Sequence, residues 1–370
     1  MLHPPDPPAL IPALNDITRT LLVKLTIDRS ASGFDSLQDE WNELLQQSQT
    51  NTIFLSWEWQ TTWWRHWGTD ELYLLSWRDE ETGRLLGLAP LFVDLTSAGQ
   101  RQLLLVGGIE VSDYLDLIVA PENAAAVYAS LIEWLGSADA PAWDLFELVN
   151  VPAASPTLTD LPTRLATRWP TEARKEDVCP LILLPADWES YLNLLDKHQR
   201  HEVRRKLRKI EQAPDVRWWL SQAPNLAPPQ APNDLARDVE DFITLHQLSS
   251  ADKDDFMTEP MKAFFRELAA VMAAKGWLAL ALLSVGNRPA AAVFSFRWQD
   301  QWLLYNSGYD PVNFKDLSTG VVLLARCIET AIQAGVRVFD FLQGNEVYKY
   351  RLGAQDTEVW RLTVRRVHAA

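Results

Sequence analysis

The chain has 370 residues, a formal net charge of −15, 17 Trp, two Cys and six His. That length accommodates two domains with separate cores, and the acidity argues against a general nucleic-acid binder while leaving room for a local basic site. Cys179 and Cys327 are too few for a disulfide framework, and the scattered histidines lack ligand spacing, so no metal is expected. The Pro-rich start has no signal-peptide pattern, and no run reaches the ~18 apolar residues of a membrane helix, so a soluble cytoplasmic protein is expected.

Residues 1–20 read as a flexible lead-in, because clustered prolines disfavour helix and central strand. A strand over 21–27 and an amphipathic helix over 34–47 follow. Ser56 is a candidate N-cap for a helix carrying Trp57, Trp59, Trp63, Trp64 and Trp67, five indoles that either fill a core or wall a groove. Residues 71–77 and 84–93 form a hairpin around Thr82-Gly83. Further strands are expected at 102–106, in the apolar end of 111–119, and at 143–149, with a helix over 122–135.

The second half opens with a short strand at 180–185 and a helix capped by Asp187. A basic helix, 197–211, carries Lys197, Arg200, Arg204, Arg205, Lys206, Arg208 and Lys209 around an apolar stripe of Val203, Leu207 and Ile210. A Pro-rich loop spans 223–232, Asn233 caps a helix to 248, and Pro260 starts another to 275. Strands at 277–285, 290–298 and 301–306 lead to the Ser318-Thr319-Gly320 turn, a helix to Gly335, and a strand over 336–341 bearing Asp340. A polar loop with Glu346, Tyr348 and Lys349 follows.

Strand, loop, helix N-terminus, helix and strand is how an α/β sheet makes a crevice for a phosphate-bearing ligand. Backbone N–H groups at Ser318, Thr319 and Gly320 would point at a phosphate; the simpler alternative is an ordinary N-cap. Asn306, at the end of the preceding strand, falls on the same side. Asp340 and Tyr348 are candidate proton carriers, and Lys349 is a candidate partner for a phosphate or an oxyanion. A structural hydrogen bond for Asp340 and a solvated loop for the other two are the plain alternatives.

The order of elements repeats: hairpin, strand, loop, helix, then WDLFELV in the first half and VRVFDFL in the second. The chain therefore reads as two copies of one mixed α/β unit. Asp113, Tyr114 and Asp116 form the polar loop of the first copy, placed to reach the second copy's crevice if the two face each other.

On FLSWEW (54–59), GLAPLFV (87–93), SDYLDLIV (112–119), the basic 200–211 helix, STGVVLLARCIETAIQAG (318–335) and FDFLQGNEVYKYRLG (339–353), the chain resembles GNAT-superfamily acyltransferases of the CelD type, relatives of the FemAB aminoacyl transferases. The resemblance implies tandem GNAT-like domains with mixed α/β sheets, divided here at 21–180 and 181–370. It implies transfer of an acetyl or other acyl group from acyl-CoA to an amine or hydroxyl of a small molecule, sugar or envelope precursor. Asp340, Tyr348 and Lys349 then become catalytic candidates, with Ser318, Thr319, Gly320 and Asn306 on the donor. Asp113, Tyr114, Arg204 and Arg205 fall to the acceptor side. The phosphate turn is shorter than the usual Gly-rich GNAT loop, so aminoacyl-tRNA as donor, or a binding module without chemistry, are the alternatives.

Overall fold

The computed structural model describes residues 23–221 and 234–367. The lead-in over 1–20, the Pro-rich segment 223–232 and Asn233 lie outside them. In chain order come strand β1 (Val23–Asp28), helices α1 (Ser32–Gln47) and α2 (Trp57–Trp67), and strands β2 (Leu72–Asp79), β3 (Leu85–Leu95), β4 (Arg101–Leu105) and β5 (Ile118–Val119). Helix α3 (Ala124–Gly136) leads to β6 (Leu145–Pro152), short helices α4 (Pro156–Thr159) and α5 (Leu161–Leu165), and the long strand β7 (Thr171–Leu183). The rest comprises α6 (Trp188–Leu194), α7 (Lys197–Glu211), β8 (Val216–Ser221), α8 (Leu235–Ser249), α9 (Ala251–Phe256), α10 (Glu259–Ala274), β9 (Leu278–Val285), β10 (Arg288–Trp298), β11 (Gln301–Tyr309), α11 (Thr319–Gln333), β12 (Val338–Asp340), α12 (Val347–Arg351) and β13 (Gln355–Arg365).

Local chemistry explains most helix starts. Ser56, Asp196, Asp234 and Thr258 each accept a backbone N–H with the side chain, capping α2, α7, α8 and α10. Pro260 sits in the first turn of α10, where its missing N–H costs nothing. Helix α11 ends at Gly335, whose φ of +73° suits glycine.

All the strands belong to one sheet, ordered β1-β2-β3-β4-β6-β13-β7-β12-β11-β10-β9-β8, with β5 on β3. The two halves repeat one plan. In the first, β4 and β6 are parallel and joined through α3; in the second, β11 and β12 are parallel and joined through α11. Mixed α/β architecture in two tandem units is therefore the fold.

Strand β13 and most of β7 escape the sequence reading, which places a strand only at 180–185. Residues 171–177 are largely charged, and strands are expected from apolar alternation. Inside the sheet those charges are paired. Arg361 on β13 donates to Glu176 at 2.6 Å and to Glu147 at 3.1 Å, and Thr363 donates to Glu147 at 2.7 Å. The expected strand 336–341 shrinks to three residues, and 111–119 yields only a two-residue strand.

The five indoles of α2 go to packing. Trp59 is fully buried, and its ring meets Phe54, Phe264, Phe296 and Tyr305 edge-on at 4.6–5.9 Å. Phe264 lies on α10 and Phe296 on β10, so one apolar core is shared by both halves. Buried Glu58 pairs with Lys275 across the same junction at 2.7 Å. A second core, formed by α7, α11 and the opposite face of the sheet, belongs to the second half. No helix among the described residues is long and apolar enough to cross a membrane.

Candidate active site

The site begins where β11 and β12 part. They pair over three residues, the last pair being Leu303 with Asp340. Beyond it the chain stays with β7 instead: Phe341 N–H donates to Pro180 O and Gly344 N–H to Val178 O. Strand β11 runs on to Tyr309, leaving a gap between the two. A bulge adds to it, because the β10–β11 register moves from Phe294–Asn306 to Ser295–Leu304 and leaves Tyr305 unpaired. The Tyr305 hydroxyl donates to Val111 O at 2.9 Å, tying β11 to the first-half loop that carries Asp113 and Tyr114.

Asp340 is buried at the base of this gap. One carboxylate oxygen accepts the Leu342 N–H at 2.7 Å and the other accepts the Tyr114 hydroxyl at 2.8 Å. Residues 226 apart in the chain thus meet, as the facing of two units requires. Burial raises Asp340 to about 6, against the pull of the Leu342 N–H, the Tyr114 hydroxyl and Lys349. Burial also raises Asp113, to about 7; the Lys349 ammonium opposes this and the Asp340 carboxylate reinforces it. Cys179, on β7 beside them, is held protonated by burial and both carboxyls. Two carboxyls poised near neutrality in one constellation suit proton transfer.

Lys349 differs from both expectations for it, a loop residue open to a phosphate or an oxyanion and a solvated one. It lies on α12 and is 2 % exposed; its ammonium donates to the carbonyls of Leu342, Gln343 and Gly344 at 2.8–3.0 Å and pairs with Glu346 at 3.0 Å. With those partners it has no N–H left for a phosphate or an oxyanion, so its geometry is that of a clamp on the loop after Asp340. The clamp holds Leu342 at φ +56°, a left-handed conformation that costs a branched residue free energy.

Ser318, Thr319, Gly320 and Tyr348 share a second location, a pocket of about 480 Å³ also lined by Lys253, Phe314, Lys315 and Leu324. Ser318 is left-handed (φ 51°) and its side chain makes no cap bond; Thr319 donates its hydroxyl to Ala290 O at 3.1 Å. The first N–H groups of α11 therefore lack a side-chain cap, and the helix dipole and two lysines add positive potential. Gly320 is not required by close packing, since an added Cβ would meet Tyr309 at an ordinary 3.5 Å. These residues suit a phosphate-bearing ligand with an apolar arm. Burial raises the Tyr348 phenol.

Asn306 accepts from His246 at 3.0 Å, a contact with no sequence signal. Burial, with Lys253 nearby, lowers His246 to about 4, so its ring is neutral and Nε2 is the donor. Helix α8 brings His246 close because β11 has Gly308 there; a Cβ would sit 2.3 Å from the His246 backbone nitrogen. Arg204 and Arg205 stand apart. They pair with Glu189 and Glu202 on the surface of α6 and α7, and neither lines this pocket. Asp116 is also structural: it accepts from Thr50, Ser155 and Thr157 in a buried knot.

Residues 197–350 match the family model described as an acetyltransferase (GNAT) domain. That match runs from α7 to α12 within the second unit. No curated protein sequence matches the chain. Among solved structures, FemX superposes with a TM-score of 0.63 at 10 % identity, covering 88 % of this chain and 95 % of that one. A conserved protein of unknown function from Bacteroides thetaiotaomicron gives 0.58 at 11 % identity, covering 93 % and 100 %. L-PGS from Bacillus licheniformis gives 0.53 at 10 % identity, covering 89 % and 91 %. Likeness at that identity is a likeness of fold, and it extends over both units. The chain thus has the GNAT fold across both units. The segment that matches the acetyltransferase model holds the strand gap, the α11 pocket and Asp340, while Asp113 and Tyr114 come from the unit preceding it.

Proposed function

We infer that the protein transfers an acyl group, acetyl or larger, from acyl-CoA to the amine or hydroxyl of a small acceptor such as a sugar or an envelope precursor. The observation that carries this is the β11–β12 gap, with the uncapped start of α11 on one side and the Asp340–Tyr114 pair at its base. The diphosphate would take the α11 N–H groups and the lysines, and Asn306, Ser318, Thr319 and Gly320 would line the donor. The acceptor nitrogen attacks the thioester carbonyl, the N–C bond forms and the C–S bond breaks. The acceptor's proton passes through Tyr114 to Asp340, and Asp113, held near 7, returns a proton to the departing thiolate. Tyr348 borders the donor, and Lys349 acts by holding the loop. In this reading residues 21–180 and 181–370 divide the labour; that boundary falls within β7, so the two units share a strand.

Calorimetric titration with acetyl-CoA tests the donor: the expected outcome is binding in the micromolar range, and none up to millimolar concentration counts against it. Asp340→Asn should keep donor affinity and lose about 10²–10⁴-fold in turnover.

One observation favours a second donor. Helix α7 carries seven cations in an acidic chain, as a surface for the phosphates of an aminoacyl-tRNA would. A gel shift with charged tRNA, abolished by Arg204→Glu with Arg205→Glu, would support it over acyl-CoA.

A further inference from the structure

A cleft of about 420 Å³ opens on the other side of Tyr114 and Asp340, between the two units. Its walls come from the segment between α1 and α2, the end of β6, and strands β11, β12 and β13. The volume lies within the ~300–1,000 Å³ of small-molecule sites. Its charged lining residues are two carboxylates, Asp340 and Glu358; Glu358 is already paired with Lys175 at 3.0 Å, which leaves Asp340 as the carboxylate open to a cation. Phosphates and other polyanions are therefore disfavoured, and an ammonium is welcome.

The neutral lining groups are oriented by what they already bind. Asn51 Oδ1 accepts from the indole N–H of Trp298 at 2.9 Å, which fixes the amide and leaves its two N–H donors. Gln49 donates through Nε2 to Ala154 O at 2.9 Å, leaving its carbonyl as acceptor. Thr52 is 7 % exposed, lines the cleft, and its hydroxyl has no hydrogen-bond partner. A buried hydroxyl left so carries a desolvation penalty that a ligand hydroxyl would recover. A donor, an acceptor and an unsatisfied hydroxyl in one uncharged wall, with the Asp340 carboxyl opposite, match a polyhydroxylated molecule carrying one amine.

We propose that this cleft is the acceptor subsite, and that the acceptor is a hydroxyl-rich primary amine of the amino-sugar class that carries no anionic group. The proposal rests on the acyl-transfer reading of Asp340 and Tyr114. The acceptor's hydroxyls meet Gln49, Asn51 and Thr52, and its nitrogen faces the Tyr114 hydroxyl. The ammonium first gives one proton to solvent. The neutral nitrogen then attacks the thioester carbonyl, the N–C bond forms and the C–S bond breaks. The nitrogen's surplus proton moves to Tyr114 as the phenol's own proton moves to Asp340, and the departing CoA thiolate takes a proton from Asp113.

The test titrates the full chain with glucosamine, glucosamine 6-phosphate and, separately, acetyl-CoA, in the wild type, Thr52→Val and Ala153→Trp. Ala153 is an exposed lining residue, so tryptophan there fills the cleft without entering a core. Glucosamine should bind the wild type and lose about tenfold or more in affinity in both variants. The phosphate ester should bind more weakly than glucosamine, and acetyl-CoA affinity should be unchanged throughout. No glucosamine binding by the wild type, equal binding in the variants, or preference for the phosphate ester, with acetyl-CoA bound normally, overturns the proposal and leaves the donor reading standing. Glucosamine binding lost in the variants while acetyl-CoA fails to bind the wild type sinks the donor reading and keeps the cleft.

Discussion

At the scale of single residues, the site is built from groups whose environments work against the stability of the fold. Asp113 is raised to about 7, against roughly 3.9 in an unfolded chain. Between those values the folded state keeps a proton that the unfolded state has lost, so stability falls as pH rises through this window. Asp113→Asn should therefore stabilise the fold at pH 8, by on the order of 2 kcal/mol, and raise its melting temperature there, and the gain should vanish near pH 4. Thermal melts of both proteins across pH 4–8 check the sign. Lys349 works the other way. Lys349→Met strands three carbonyls and releases the Leu342 turn, and urea unfolding should show a loss of about 2–4 kcal/mol. Acetyl-CoA affinity should change little, because the ammonium does not reach the α11 pocket.

At the scale of elements, α2 joins the units by aromatic contact more than by charge. Trp59→Ala should cost about 3–5 kcal/mol and Trp59→Phe less, measured by guanidinium unfolding. Elements with strong periodicity were legible: the hairpins, the apolar stripe of α11, and the Ser56 cap of α2 with its indoles. Strand β13 and the first half of β7 were hidden because their polar residues satisfy one another, as Arg361 does with Glu147 and Glu176. Asp340 could be named as a strand-end carboxylate, and Tyr114 as a loop residue facing the second unit. His246, Cys179 and Thr52 could not, since their meaning comes from partners distant in sequence. Lys349 shows the limit most clearly: a lysine beside a tyrosine in a polar stretch reads as a partner for a phosphate or an oxyanion, and only the three carbonyls converging on it reveal a clamp.

At the scale of the whole molecule, β13 lies between β6 of the first unit and β7. It pairs with β6 from Arg365–Leu145 to Val359–Pro152, and with β7 from Gln355–Leu181 to Val364–Thr171. The Asp340–Tyr114 contact depends on that alignment, because Asp340 hangs on β7 through its pairing with Leu181. Truncation after Gly353 should thus abolish the wild-type thermal transition and glucosamine binding together, rather than leave one unit intact. Circular dichroism with the same titration reads both.

The placement of β13 also sets the order of assembly. Its partner β6 precedes it by more than the length of the whole second unit, so their pairing closes a large loop and must come late in folding. Until it does, β6 and β7 each present an open row of N–H and C=O groups. A neighbouring chain's β13 could fill either edge as well as the chain's own. The same strand that aligns the catalytic pair is therefore where crowded, newly made copies would become entangled, and yield on refolding should decline as concentration rises.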